Sequence, residues 1–125
     1  MKNVKSVVLY DNYILFENGR WFSIKTLKFL KPFVNDNGYE RVDLCVEGQP
    51  RPIRVFTHIK VVEHFGDCNG NRIPQNNGTL RELGLSIDHR DRNKHHNNRQ
   101  NLELVTHQEN CRRKFMNYYD YALPF

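Results

Sequence analysis

The sequence predicts an α+β chain, in which an N-terminal antiparallel β-rich module precedes a strand–loop–strand–helix unit. Three observations predict it. Upstream, β-branched and aromatic runs recur between Asp-Asn and Asn-Gly turn signals. Near the other end, a loop without a single apolar residue separates two short apolar runs. Directly after the second run, Thr106 is followed three residues later by Glu109, the signature of a capped helix start.

In chain order, residues 6–10, 13–16 and 20–23 are β-rich runs that should form a meander. Asn35-Asp36-Asn37-Gly38 is a turn, after which 39–46 and 51–57 form a hairpin closed by Glu47-Gly48-Gln49-Pro50. Residues 58–65 read as a short helix. Residues 66–77, rich in Gly, Asn and Asp, read as a loop or linker, with a short helix over 79–83. Gly84-Leu85-Ser86-Ile87 is an apolar run that can pair as a strand and deliver Asp88 and His89 at its end. Residues 90–100 carry no apolar side chain and form a loop, from which Leu102-Glu103-Leu104-Val105 returns. The final helix starts at about His107. Cys111, Phe115, Tyr118 and Ala122 share its packing face, and Asn110, Lys114 and Asn117 follow a polar stripe about 100° away. Pro124 closes it. The organisation expected is a β-rich module over 1–65, a connection over 66–83 and the strand–loop–strand–helix unit over 84–125.

Composition bounds the possibilities. A chain of 125 residues can bury one modest core, or a sheet module plus a small appended unit, but not two full domains. Lys and Arg outnumber Asp and Glu by 19 to 14, a formal charge of +5 that suits a polyanionic partner. The cations are not evenly spread: Arg90, Arg92, Lys94 and Arg99 crowd the polar loop, and Arg113 and Lys114 follow Asn110. In the upstream module, Lys31 and Arg54 are among those able to meet phosphates. Cys45, Cys68 and Cys111 form no close pair, which excludes the usual structural zinc spacing. They read as reduced thiols of an intracellular protein, with Cys45 and Cys111 packed as small apolar residues. No signal-peptide core and no apolar run approaching ~20 residues is present, so the expectation is a cytoplasmic protein without a membrane partner.

An Asp-His pair at a strand end is by itself most often a turn carboxylate beside a surface imidazole. The loop asparagines, Asn93, Asn97 and Asn98, are equally ordinary turn residues. What lifts Asp88 and His89 above that reading is their joint spacing with Asn101 and Asn110 and the capping box.

These residues also carry a resemblance to a known family. Asp88-His89-x-Asp91-x-Asn93, Asn97, Asn101-Leu102, Val105-Thr106 and Glu109-Asn110 resemble the HNH motif of phage and intron-encoded homing endonucleases. Leu30-Lys31-Pro32, Asn37-Gly38-Tyr39, Val42-Asp43-Leu44, Arg54-Val55, His58, Val61 and Phe65 resemble the DNA-contacting module associated with it, and together the match runs from about Tyr10 to Arg113. The resemblance implies a ββα-metal finger over 84–125. It implies that His89 is the general base, that Asp88 and Asn110 hold a single divalent metal, and that Asn101 braces the loop and keeps His89 oriented. Many such motifs end in histidine, so His107 stays open as an alternative ligand or a contact to the scissile phosphate. Three departures stand out: the long 66–77 segment, Arg92 where relatives often carry glycine, and Lys60 where they usually carry an apolar residue.

The chemistry fits these residue types. Phosphodiester hydrolysis needs an activated water, charge neutralisation on the phosphate and help for the departing oxygen. A histidine with an ordinary pKa of about 6.5 is largely free base near neutrality. A carboxylate with an amide oxygen makes a hard site suited to Mg²⁺ or Mn²⁺ rather than zinc. The expectation is thus an endonuclease that nicks or cuts double-stranded DNA. It would act as monomer or homodimer, in the cytoplasm of a bacterial host if phage-encoded, with a phage protein as a further partner. The rivals are a non-catalytic DNA-binding protein with a structural finger, and an RNA-binding protein using the basic loop.

Overall fold

The computed structural model describes residues 4–74 and 79–122, with side chains through residue 115. A first antiparallel sheet is a meander of β1 (Ser6–Leu9), β2 (Tyr13–Phe16), β3 (Trp21–Ser23) and β4 (Lys28–Phe29). Alternation along β2 and β3 turns Tyr13, Leu15, Trp21 and Ser23 inward. A second sheet contains β5 (Phe33–Val34), β6 (Glu40–Leu44) and β7 (Ile53–Phe56), also antiparallel. Sequence reading missed β4 and β5, which have two exposed residues each and so present no alternation. Helix α1 (Thr57–Phe65) follows β7 without a loop and buries Val61 and Val62 completely. It stops at Gly66, whose φ of +82° suits glycine and whose N–H returns to the Val62 carbonyl at 3.0 Å.

The last unit is a hairpin of β8 (Leu85–His89) and β9 (Leu102–Thr106), followed by α2 (His107–Ala122). The capping box forms its expected first half, with the Glu109 N–H donating to Thr106 Oγ1 at 3.1 Å. The Glu109 carboxylate instead engages Arg112 and Arg113.

One core joins all of this. Tyr13, Leu15, Trp21, Val42, Leu44, Val55, Val61 and Val62 cluster with Ile87 and Leu102 of the hairpin. The hairpin alone could not bury its apolar side, so it depends on the upstream sheets for stability. Two buried polar links reinforce the core, one within the upstream part and one to the hairpin. Trp21 Nε1 donates to Thr57 Oγ1 at 3.1 Å. Asp67, fully buried, accepts from the N–H groups of Asn69 and Asn71 at 2.9 and 2.8 Å and from Leu104 at 2.8 Å. A buried carboxylate needs such donors. The start of the segment expected as a linker is therefore fastened to β9, where the Cys68 N–H also donates to the Leu102 carbonyl at 2.8 Å.

Three expectations are corrected. Residues 79–83 form a turn rather than a helix, closed when Leu83 N donates to the Thr79 carbonyl at 3.0 Å and ended by Gly84 at φ +68°. On α2, Cys111 is exposed and Phe115 is 59 % exposed, while Glu109, Asn110 and Arg113 are half-buried. The reason is that β8 and β9 offer that helix Ser86, Asp88 and Glu103, which attract polar and cationic partners instead of an apolar stripe. Tyr118 and Ala122 lie outside the described side chains. Cys45 is exposed too, so neither it nor Cys111 is packed as an apolar residue. Among the described residues no helix is long and apolar enough to cross a membrane.

The two halves of the chain approach closely at Gly19. Its φ is +89°, and a Cβ there would stand 2.7 Å from Asn97 Cβ and 2.9 Å from the Asn97 carbonyl oxygen. Gly19→Ala should therefore cost about 1–3 kcal/mol and lower the melting temperature by several degrees. Thermal denaturation followed by circular dichroism measures this, and an unshifted transition would mean that the approach is not a constraint.

Candidate functional site

The period of two along β8 decides what each residue can do. Ile87 and His89 turn into the protein, while Ser86 and Asp88 face α2. At the strand end, the α2 residues Asn110 and Lys114 come over the hairpin. Asp88, His89, Asn110 and Lys114 thereby line a small cleft of about 70 Å³ with Tyr39, Ile87, Arg92 and Lys94. The expected base, both expected metal ligands and three cations are thus in one place.

His89 is 5 % exposed, and its Nε2 lies 2.8 Å from Asn97 Oδ1. Asn97 is itself buried, and its Nδ2 donates to Glu40 Oε2 at 3.3 Å. The other Glu40 oxygen accepts from His95 Nδ1 at 3.1 Å. On its faces the His89 ring meets aromatic neighbours: His58 at 5.4 Å and Tyr39 at 6.0 Å between centroids, with Tyr39 and His58 stacked at 4.9 Å. Burial lowers the His89 pKa below its ordinary value, opposed by the bond to Asn97 and by the charges of Asp88 and Asp91.

Asn101 holds the loop from inside. Its Oδ1 accepts from the Asp91 N–H at 3.0 Å, and its Nδ2 donates to Asp91 Oδ1 at 2.8 Å and to the His96 carbonyl at 2.9 Å. Its carbonyl also accepts the Arg90 N–H at 2.8 Å, which pins the residue after His89. The side chain that reaches the His89 ring is Asn97, not Asn101. The remaining loop asparagines do turn work: Asn93 Oδ1 accepts the His95 N–H, and Asn98 caps a 3₁₀ turn over Arg99–Asn101. Asp91 is held down to about 2, first by His96 and then by the Asn93 N–H.

Asp88 Oδ2 pairs with Arg113 at 3.0 Å, and the same guanidinium group reaches Glu103 at 2.6 Å and Glu109 at 3.1 Å. Arg113 is therefore turned inward, away from the phosphate-facing position expected of it. Arg99 is also internal, donating to the Asp67 carbonyl at 3.3 Å and pairing with Glu17 at 3.8 Å. Lys94 lines the cleft, yet its Nζ donates to the Asn37 carbonyl at 2.7 Å and sits over the Tyr39 ring. Arg54 pairs with Asp43 at 3.5 Å. Arg90, Arg92, Lys114 and Lys31 are exposed. Arg92 has a φ of +68°, a left-handed conformation that glycine adopts more easily than any other residue.

His107 does not line the cleft. It lies one turn earlier on α2, with Nδ1 3.1 Å from Ser86 Oγ and Nε2 3.6 Å from Cys111 Sγ. Among the described residues no group of three or more His, Cys, Asp or Glu converges as a metal site, so a site here would rest on Asp88 and Asn110.

Sequence reasoning gave no individual role at this site to Asn97, Glu40, Tyr39 or His58. Asn97 carried a signal, since it belonged to the motif, but it looked like a turn asparagine. Tyr39 and His58 were part of the resemblance to the DNA-contacting module and Glu40 was not, and only the folded chain brings these three to the His89 site.

Comparison with known proteins supplies relatives. No protein-family model matches the chain. It is 34 % identical over 107 residues to the DNA endonuclease I-HmuI of Bacillus phage SP01, covering 85 % of this chain and 53 % of that protein. An uncharacterised HNH endonuclease of Acanthamoeba polyphaga mimivirus is 30 % identical over 100 residues, 80 % of this chain and 26 % of its own length. A solved structure describing DNA binding and cleavage by the HNH homing endonuclease I-HmuI superposes with a TM-score of 0.69 at 29 % identity, over 93 % of this chain and 59 % of that one. The chain thus spans about half the length of the first of these relatives.

His58 leads to a pH prediction. It is 9 % exposed, its Nδ1 is buried without a hydrogen-bond partner, and burial pushes its pKa down to about 3, helped by His89 beside it. Between pH 6.5 and that value the unfolded chain takes up a proton at this position that the folded chain refuses. Stability contributed here is complete above pH 6.5 and declines as the pH falls, by at most about 1.4 kcal/mol per pH unit. His58→Phe keeps a ring against Tyr39 and removes the titration. Urea unfolding at several pH values should show a shallower acid slope for the variant; equal slopes would remove His58 as the cause.

Proposed function

The chain is related to the HNH homing endonucleases in sequence and in fold, and from that premise we propose that it hydrolyses phosphodiester bonds of double-stranded DNA. The observation that carries the proposal is the convergence of Asp88, His89 and Asn110 on one cation-lined cleft. Residues 84–125 act as the nuclease finger, and residues 1–65 as the module that contacts DNA through exposed cations such as Lys31. Residues 66–83 connect the two.

His89 acts as the general base. Its packing keeps the imidazole neutral and fixed, with one nitrogen held by Asn97 and the other available for a proton from the attacking water. Asn101 is a brace whose bonds hold the loop that carries Asp91 and Asn97. Asp88 and Asn110 would hold a single Mg²⁺ or Mn²⁺. The donor set fits, because a carboxylate and an amide oxygen are hard ligands on one cleft. When bound, such an ion supplies charge neutralisation at the scissile phosphate and its departing oxygen. His107 contacts Ser86 and Cys111, which supports Asn110 as the ligand instead. Arg92 and Lys114 line the cleft and are exposed, which supports a phosphate-contacting role for them.

Supercoiled plasmid with Mg²⁺ or Mn²⁺ should be converted to nicked or linear forms, and a chelator should stop the conversion. His89→Ala should lower the rate by about 10²–10⁴-fold, and full activity in that variant would sink the mechanism. Asp88→Ala should abolish cleavage and, by isothermal titration, weaken Mn²⁺ binding; unchanged Mn²⁺ affinity would remove Asp88 as a ligand. A second reading, a non-catalytic DNA-binding protein with a structural finger, is favoured by the Arg113 pair that already engages Asp88. It predicts plasmid retardation without cleavage under every divalent ion.

A further inference from the structure

We propose that Glu40, a residue of the upstream module, is a positioning residue for the nuclease finger: by fixing the amide of Asn97 it selects which nitrogen of His89 carries the proton.

An asparagine amide can present either its oxygen or its nitrogen to a neighbour, and the two ends have opposite consequences here. If Nδ2 faced His89, Nε2 would have to accept and the proton would sit on Nδ1. If Oδ1 faces His89, Nε2–H must donate, and the lone pair that can receive a proton is on Nδ1. Asn97 alone does not decide between these. Glu40 does, because a carboxylate only accepts hydrogen bonds. Its Oε2 lies 3.3 Å from Asn97 Nδ2, which draws the donor end of the amide to Glu40 and leaves Oδ1 2.8 Å from His89 Nε2. Glu40 is in turn held by His95, whose Nδ1 lies 3.1 Å from Oε1, so one carboxylate fastens the loop at two residues.

The relay crosses the chain. Glu40 is the first residue of β6 and stands 57 positions before Asn97. Gly19 supports the same contact by giving the Asn97 backbone room that any side chain would take. Burial raises the stakes, because His89 and Asn97 are 5 % and 3 % exposed and water cannot readily replace a misdirected amide. The finger and the sheet module are therefore functionally as well as structurally joined: the sheet residue sets the tautomer that the finger's histidine uses.

This inference rests on the reading of His89 as general base, so its test has an arm that does not depend on cleavage. The tautomer of His89 can be read from long-range ¹H–¹⁵N correlations of the imidazole rings in labelled protein, at a pH where histidine is neutral. The His89 signals are identified by their loss in His89→Gln. Wild type should give a single tautomer protonated at Nε2. Glu40→Gln, whose amide can present either its oxygen or its nitrogen to Asn97, should weaken the selection and give a smaller share of the second tautomer than Glu40→Ala. Glu40→Ala should give a mixture, with kcat on plasmid lowered about tenfold and KM unchanged, because the base is loosened while DNA contacts remain. An Nδ1-protonated wild type, or a Glu40→Ala spectrum and kcat identical to wild type, would overturn the proposal. A tautomer lost in Glu40→Ala in a protein that cuts no DNA would uphold the positioning and remove the nuclease reading instead. Dispersed ring signals in Glu40→Gln and Glu40→Ala report folding in the same experiment.

Discussion

A buried imidazole sets the terms for the rest of this molecule. With His89 only 5 % exposed, each ring nitrogen must find a partner or a purpose inside the protein, since an unpaired buried polar atom costs on the order of 1–3 kcal/mol. The loop of residues 90–100 has no apolar side chain to anchor it, yet it must fold back far enough to bring Asn97 to Nε2. It does so on polar bonds alone: Asn101 holds Asp91 and the His96 carbonyl, and Glu40 holds His95 and Asn97. Gly19 has no Cβ because the Asn97 backbone passes where one would be. The same need explains why hairpin and sheets share a core through Ile87 and Leu102, for a separate finger would leave His89 open to water.

The side of the site toward α2 is built differently. Where His89 is fixed by packing, Asp88 is fixed by charge. Arg113 gathers Asp88, Glu103 and Glu109, which hold its pKa above the ordinary arginine value, Glu103 contributing most. This links α2 to both strands of a finger whose three cysteines are free and whose described helix residues meet the strands through polar and charged groups. Pairs that are this exposed contribute modestly each, and the link is strong only as a group around one planar guanidinium. It also means that the Asp88 carboxylate meets a cation whichever partner it faces.

How much of this was legible in the sequence follows from the range of the interactions. The helix start at Thr106, the meander and the β6–β7 hairpin are local, set by caps, turns and alternation, and they could be read directly. Asp88, His89 and Asn110 were legible because a hairpin and one helical turn fix their mutual placement within 23 residues. The α2 packing face was not, because periodicity identifies a stripe without saying what lies opposite; Ser86, Asp88 and Glu103 lie there, so Asn110 and Arg113 turn in and Cys111 turns out. Residues 79–83 had helical composition but only one turn of length, and Gly84 ends it. The contacts of Glu40, Tyr39 and His58 with the His89 site could not be read, since their partners lie in another part of the chain.

That last class carries the physical argument furthest. A motif read from spacing names the groups that touch substrate, but it does not say what keeps them in the right protonation state, because those supports come from wherever the fold places a carboxylate or a ring. Here they come from β6 and α1: Glu40 directs an amide, while Tyr39 and His58 wall the imidazole at 6.0 and 5.4 Å. His58 can serve as such a wall only while it is neutral, and its depressed pKa of about 3 ensures that it adds no charge beside His89 near neutrality. The upstream module is consequently part of the site's surroundings, and any exchange of that module between relatives must carry the residues facing His89 with it or leave the imidazole and its amide partner without the neighbours that fix them.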